Sequence, residues 1–292
     1  MRQPTATLPT ALFRGARLIC HLTYGILLAG IYPLFKLSIR QRLLKRWSSD
    51  LLHILHVRLE TAGQPSPRHI PGTMLVANHI SWLDVFAINA ISPACFIAKS
   101  EVRGWPLLGM LCQRTRTIFI ERDIRRDTMR SNRLISAMLA EGECVALFPE
   151  GTSTDGTRLK HFHSSLFQSA IDSRAAISPV AIRYHDGSGR HCDDAAFIGD
   201  MSFIQSLQKI LLSPSLHATL TVLPALSLQD KNRRILAAEA QSAIDIALEQ
   251  CAARPHSQPE TTSAQVRPTS RFHSAYSLLL DPVFKLKKRP NV

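Results

Sequence analysis

His79 and Asp84, five positions apart, are the residues of this sequence best placed to move a proton. An imidazole beside a carboxylate is a base that works near neutral pH, because the carboxylate holds the ring and stabilises its charged form. Spacing alone leaves a second role open, in which the two side chains cap a helix and bond to nearby backbone. The pair is preceded by an apolar run, Thr73-Met74-Leu75-Val76-Ala77, that reads as a buried strand, and followed by Val85-Phe86-Ala87-Ile88, the start of a helix. Strand-to-helix junctions of this kind present side chains at the open edge of an α/β sheet, where ligands bind. A second stretch, Phe148-Pro149-Glu150-Gly151-Thr152-Ser153, follows another short run, Val145-Ala146-Leu147. Proline and glycine around the glutamate fix its carboxylate on a turn. Gly151 lets a ligand approach the backbone, and Thr152 offers a hydroxyl and an N–H. In a mostly parallel sheet Glu150 and His79 share one edge; taken by itself, the stretch also reads as a plain turn.

The elements that must hold these residues alternate. Strands are expected at 74–77, 95–98, 117–120, 144–148, 177–182 and 218–223, with helices around 83–91, 107–113, 124–140 and 165–172 and a last helix from a cap at Asp230 to about 250. The fold class that follows is α/β, a central mixed, mostly parallel sheet flanked by helices. The helix after Ile124 carries an apolar stripe, Leu134, Ile135, Met138 and Leu139. Arg125, Arg126, Arg130 and Arg133 crowd its first turns against the helix dipole. Such crowding fits either an anionic partner or a solvated face.

Upstream, Leu18 to Phe35 contains no formal charge, and basic residues flank both ends. As a helix this run is roughly 27 Å long, close to a bilayer core of about 30 Å, although His21 and Pro33 interrupt a clean span. From Gln41 to Val57 the apolar residues fall at helical spacing with a basic opposite face, as in a helix on a membrane surface. The expected organisation is a tail with membrane-associated helices over 1–62, a catalytic domain over 63–251 and a disordered basic tail over 252–292.

The chain has 292 residues and a formal net charge of +13. That excess attracts phosphates and an anionic membrane surface. Nucleic acid is not an expected partner, because aromatics make up only 7% and do not interleave with the basic residues. Six scattered cysteines, none in a C-x2-C spacing, read as reduced core residues, with neither a disulfide framework nor a metal site.

The two chemical stretches, NHISWLD and FPEGTS, resemble in order and spacing the glycerolipid acyltransferase family, the 1-acyl-glycerol-3-phosphate acyltransferases and their relatives. Ala98-Lys99-Ser100-Glu101-Val102 with Pro106 and Gly109 is similar to the family's lysine-bearing segment. Phe119-Ile120-Glu121-Arg122 resembles its strand ending in arginine, and Ser178-Pro179-Val180-Ala181-Ile182 its late block. The resemblance covers about Met74 to Ile182. It implies transfer of an acyl chain from a thioester, on acyl carrier protein or coenzyme A, to the hydroxyl of a membrane lysolipid, with no further cofactor. His79 would be the base and Asp84 its orienting carboxylate. Glu150, Gly151, Thr152 and Ser153 match the acceptor block, and Lys99 and Arg122 are the cationic candidates for its headgroup. Backbone N–H groups at the nearby helix start are candidates for holding the thioester oxyanion. The implied setting is the cytoplasmic face of the inner or plasma membrane, and the implied acceptor 1-acyl-sn-glycerol-3-phosphate. One departure bears on the acceptor. Members that bind a phosphate usually carry arginine directly after E-G-T, whereas this chain has Ser153. Either Lys99, Arg122 or Arg158 compensates, or the headgroup is not a terminal phosphate, as in lyso-ornithine lipid.

Overall fold

The computed structural model describes residues 6–64, 72–104, 108–120 and 125–253. The first five residues, Pro65, Pro106, Glu121, Arg122 and the tail after 253 lie outside the described residues, as does the side chain of Lys99.

Among the described residues seven strands form one sheet in the order β1-β7-β6-β2-β5-β3-β4. These are β1 (Val57–Gly63), β2 (Thr73–Ala77), β3 (Cys95–Lys99), β4 (Ile118–Ile120), β5 (Val145–Leu147), β6 (Ala176–His185) and β7 (Leu216–Val222). Only β6 and β7 pair antiparallel; the other neighbours run parallel. The sheet is thus mixed and mostly parallel, as the alternating pattern predicts.

Helices cover both faces. Central β2 is buried at every position, as a strand covered on both sides must be. Its residues alternate between layers. Leu75 and Ala77 join a core with Leu51, Leu52 and Leu55, with Leu83, Ile88 and Ile91, and with Ile210. These come from α2 (Leu37–Ile54) and the residue after it, α3 (Leu83–Ile91) and α7 (Phe203–Leu212). Met74 and Val76 face the other core, with Ile135, Met138 and Leu139 of α5 (Arg125–Ala140), Ala170 of α6 (Gln168–Ser173) and Leu236, Ala240 and Ile244 of α8 (Arg233–Ala253). Each of the large aliphatics contributes roughly 1.5–3 kcal/mol by burial. The remaining helix in the middle of the chain is α4 (Leu108–Arg114).

Three expectations need correction. The helix expected to reach Val57 ends at Ile54, and His56, in the left-handed region at φ 58°, turns the chain into β1. The domain boundary expected after residue 62 therefore falls inside a strand of the sheet. That strand has few apolar residues because it is an edge: only Val57 is fully buried. The cap of α8 is Asn232, whose Oδ1 accepts the N–H groups of Arg234 at 2.9 Å and Ile235 at 3.1 Å. Asp230 sits instead in the left-handed region at φ 56°. Finally, α7 went unanticipated, although Ser202 and Gln205 bond reciprocally as a capping box at its start. The described arginines of α5, Arg130 and Arg133, are solvent-exposed.

At the N-terminus α1 (Leu8–Ile31) leads through a 3-10 turn, Tyr32–Leu34, into α2. Its buried residues, Arg14, Leu18, His21, Gly25 and Ala29, recur every three or four positions along one stripe. That stripe is largely small or polar. Arg14 donates to the carbonyls of Leu211 and Ser213, and His21 bonds the Trp47 carbonyl while its ring stacks on the indole at 4.8 Å. The opposite side exposes Leu8, Leu12, Phe13, Ile19, Leu27 and Ile31. By length and composition α1 with its turn can cross a membrane.

Candidate active site

The end of β2 turns sharply into α3, and the turn is built around one carboxylate. Asp84 Oδ2 accepts the N–H groups of Ile80 at 2.7 Å and Ser81 at 2.9 Å, and pairs with His79 Nδ1 at 2.8 Å. Its other oxygen accepts the Tyr184 hydroxyl at 2.8 Å. The carboxylate is fully buried, and these four partners replace its water. Asp84 thus bonds both the histidine and the backbone of the turn before α3, while the helix itself has no side-chain cap.

His79 is oriented from three sides. Its N–H donates to Glu150 Oε1 at 2.8 Å. Its carbonyl accepts from Thr154, from the N–H at 2.8 Å and the hydroxyl at 3.2 Å. Its ring stacks on Phe148 with centroids 4.1 Å apart and planes 11° from parallel. With Nδ1 on Asp84, Nε2 is the ring nitrogen left without a hydrogen bond among the described residues, and the side chain is 23% exposed. Behind the turn, Asn78 clamps β6 with both ends of its amide, donating to the Ile182 carbonyl at 2.9 Å and accepting the Ile182 N–H at 2.7 Å.

The second loop, after β5, reaches the first through Glu150. One oxygen takes the His79 N–H and the other takes the N–H of Lys160 at 2.8 Å, so the carboxylate braces two loops. Burial raises its pKa above the ordinary carboxylate value, while those two N–H groups pull it down. Gly151 has φ 78° and Gly156 φ 81°. A Cβ at Gly156 would meet the Ile80 side chain at 2.7 Å, and its positive φ strains any other residue, so glycine suits the place where this loop closes over the first. Ser153 donates its hydroxyl to the Phe197 carbonyl, and the Phe197 N–H donates to Ile80 at 2.9 Å. Thr152 and Arg158 are exposed.

His79, Asp84, Glu150, Gly151, Thr152 and Ser153 therefore lie on two adjoining loops at the carboxyl ends of neighbouring parallel strands. Lys99 ends β3, the next strand along, on that same edge. Four N–H groups at the entry to α3 are occupied: Ile80 and Ser81 donate to Asp84, Leu83 to the Ser81 hydroxyl and Asp84 to the Ser81 carbonyl. Sequence reasoning also missed Tyr184, Thr154 and Phe148. For Tyr184 a signal exists: it shares the inward face of β6 with Val180 and Ile182, and a buried phenol needs a partner for its hydroxyl. Burial, and then Asp84 itself, push its pKa well above the usual value, so it stays a donor.

Comparison with known proteins says to which class a chain with this fold and this glutamate-braced histidine–aspartate turn belongs. The pattern of the acyltransferase family matches residues 58–183. A lyso-ornithine lipid O-acyltransferase of Pseudomonas aeruginosa is 34% identical over 244 residues, 81% of this chain and 93% of that one. The chain belongs to the acyltransferase family. A 1-acyl-sn-glycerol-3-phosphate acyltransferase of Neisseria meningitidis is 42% identical over 151 residues, 52% of this chain, and the match spans 59% of that relative's length. The crystal structure of a 1-acyl-sn-glycerophosphate acyltransferase from Thermotoga maritima shares the fold, with a TM-score of 0.59 at 17% identity, over 82% of this chain and 98% of that one.

Proposed function

We propose that this chain is a membrane-associated lysolipid O-acyltransferase that uses an acyl thioester, on acyl carrier protein or coenzyme A. The observation that carries the reading is the wiring of His79: Nδ1 is held by a buried carboxylate while Nε2 faces outward without a partner among the described residues. In this reaction Nε2 takes the proton of the acceptor hydroxyl as its oxygen attacks the thioester carbonyl. The C–S bond then breaks, and the imidazolium returns the proton to the departing thiolate. Asp84 keeps the proton-bearing Nδ1 in place and stabilises the imidazolium. Glu150 acts by positioning the His79 backbone, since both its oxygens are engaged. The N–H groups of Thr152 and Ser153, which make no hydrogen bond among the described residues, are candidates for the oxyanion beside the Trp82 N–H at the start of α3.

Membrane association is supported by the inverted character of α1, which puts its polar stripe on the protein and its apolar side outward. Contacts from Arg14 to Ala29 run along most of the helix, which favours a helix lying on the membrane surface with the protein above it. The cytoplasmic face is the side on which acyl thioesters are met.

Two acceptors compete. The higher identity is to a relative named for 1-acyl-sn-glycerol-3-phosphate; the longer match is to one named for lyso-ornithine lipid. Ser153 favours the second, because it takes the place of a phosphate-clamping arginine and spends its hydroxyl on the Phe197 carbonyl. Lys99 and Arg122 remain the candidates for the headgroup. The test offers both lysolipids in equal amounts with labelled acyl thioester to the full chain in mixed micelles. Acylation of either establishes the activity, and preference for lyso-ornithine lipid supports the role of Ser153. No transfer to either would defeat the proposal.

A further inference from the structure

Away from the dyad, at the β1 end of the sheet, a second group of titratable side chains converges. β1 pairs with β7 in parallel, which sets Glu60 opposite Thr219. β7 pairs with β6 antiparallel, which sets His217 opposite His185. The result places Glu60, His217 and His185 together across three neighbouring strands. His217 Nδ1 lies 3.1 Å from Glu60 Oε1, and His185 Nε2 lies 3.9 Å from Glu60 Oε2. One donor atom from each residue lies within 4.8 Å of the other two. We propose that Glu60, His185 and His217 form a binding site for a divalent transition-metal ion, zinc by the nature of the donors.

The geometry fits the ion. Donors about 2.1 Å from a tetrahedral zinc stand roughly 3.4 Å from one another, between the two carboxylate–imidazole separations, and the two rings, within 4.8 Å of each other, need only a small approach. Two imidazoles and a carboxylate are a common zinc set that leaves the fourth position for water or a hydroxyl. Both rings present the required lone pair. His185 Nδ1 lies 2.9 Å from the Asp186 carbonyl, which can only accept, so the hydrogen sits on Nδ1 and Nε2 is bare. A carbonyl behind a histidine is the arrangement that orients such rings toward metals. His217 Nε2 faces the Ser215 hydroxyl at 3.1 Å, and a hydroxyl donates or accepts, so the tautomer with Nδ1 bare is available. Thr219 Oγ1, 2.9 Å from His185 Nε2 and 3.5 Å from Glu60 Oε2, lies between the donors and offers a fourth contact. The histidines are buried while the Glu60 side chain is 38% exposed, which leaves an approach from solvent. Without an ion the same groups hydrogen-bond to one another, so the fold does not depend on the metal. With it, edge strand β1 is tied to β7 and β6 by coordination bonds.

The test uses the full chain in detergent, with any affinity tag removed, stripped by chelator and then titrated with zinc chloride. Bound metal is counted by mass spectrometry after desalting, and affinity is measured by calorimetry. The expected result is one zinc per chain and a raised melting temperature, with binding weakened about tenfold or more in both Glu60→Gln and His217→Gln. Circular dichroism confirms that each variant is folded. Cobalt supplies a second readout that does not depend on the variants' stability: the wild type should show the visible bands of a four-coordinate nitrogen–oxygen site. Absence of stoichiometric zinc in the wild type would overturn the proposal. So would equal affinity in folded Glu60→Gln and His217→Gln, which would place the ion on other ligands.

Discussion

The Asp84 carboxylate is fully buried, takes four hydrogen bonds and holds one nitrogen of His79, leaving the other without a partner among the described residues. On the same sheet the Glu60 carboxylate is 38% exposed and meets His217, whose two ring nitrogens are both engaged, one by Glu60 and one by Ser215. Both are histidine–carboxylate couples about 3 Å apart. The difference lies in what is left over. A ring held at one nitrogen can pass a proton through the other; a ring held at both can only brace strands or bind an ion after one partner moves. Proximity to a carboxylate does not by itself mark a catalytic histidine.

The largest effect should come from breaking the first couple at its ring. His79→Ala should lower acyl transfer by about 10²–10⁴-fold while the chain stays folded in detergent; a near-normal rate would reassign the base. Asp84→Asn places an amide where Ile80 and Ser81 donate. It should cost at least about 100-fold in kcat, because a neutral amide no longer stabilises the imidazolium, and lower the melting temperature, because the bonds from Ile80 and Ser81 lose their charge assistance. Tyr184→Phe removes one donor to the same carboxylate, worth about 1.5–3 kcal/mol for a hydrogen bond to a charged group. Its expected signature is a lower kcat with little change in KM, and a pure KM effect would argue that Tyr184 touches substrate instead.

Glu150 gives a pH dependence. Its folded pKa is raised by burial, so its contribution to stability is present below the unfolded value of 4.5 and is lost as pH rises through the raised value. Thermal unfolding of the wild type and Glu150→Gln should therefore diverge as pH climbs from 4.5, with the wild type losing ground. A constant gap between about pH 4 and pH 7 would mean that the carboxyl is not shifted. The smallest effect belongs to the second couple: Glu60→Gln should leave the acyl-transfer rate within about twofold, because its strand reaches the site only through β7 and β6.

How much of this was legible in the sequence depended on separation along the chain. The strand before His79 and the helix after it are continuous apolar runs, and α3 falls at the expected residues. The His79–Asp84 bond closes over five residues, within the reach of a motif. The supports do not: Glu150 is 71 residues from His79, and Tyr184 is 100 residues from Asp84. The second stretch and a parallel sheet set Glu150 on the edge of His79 but not its bond to the His79 N–H, and only the need of a buried phenol for a partner hinted at Tyr184. Edge strand β1 escaped notice because Arg58, Glu60 and Thr61 break the apolar run that marks interior strands. The loss of two N–H groups before α3 could not be foreseen from a helix start alone, because Asp84 doubles back to take those of Ile80 and Ser81.

The order of these parts along the chain has a consequence during synthesis. Helix α1 is complete at Ile31, whereas the last brace of the dyad, Tyr184, follows about 150 residues later. At about 5–20 residues per second that interval is on the order of 10–30 s. The apolar side of α1 thus leaves the ribosome well before the dyad is assembled. On the membrane association proposed above, a nascent chain has time to settle on lipid before Tyr184 is made and the His79–Asp84 pair is fully braced.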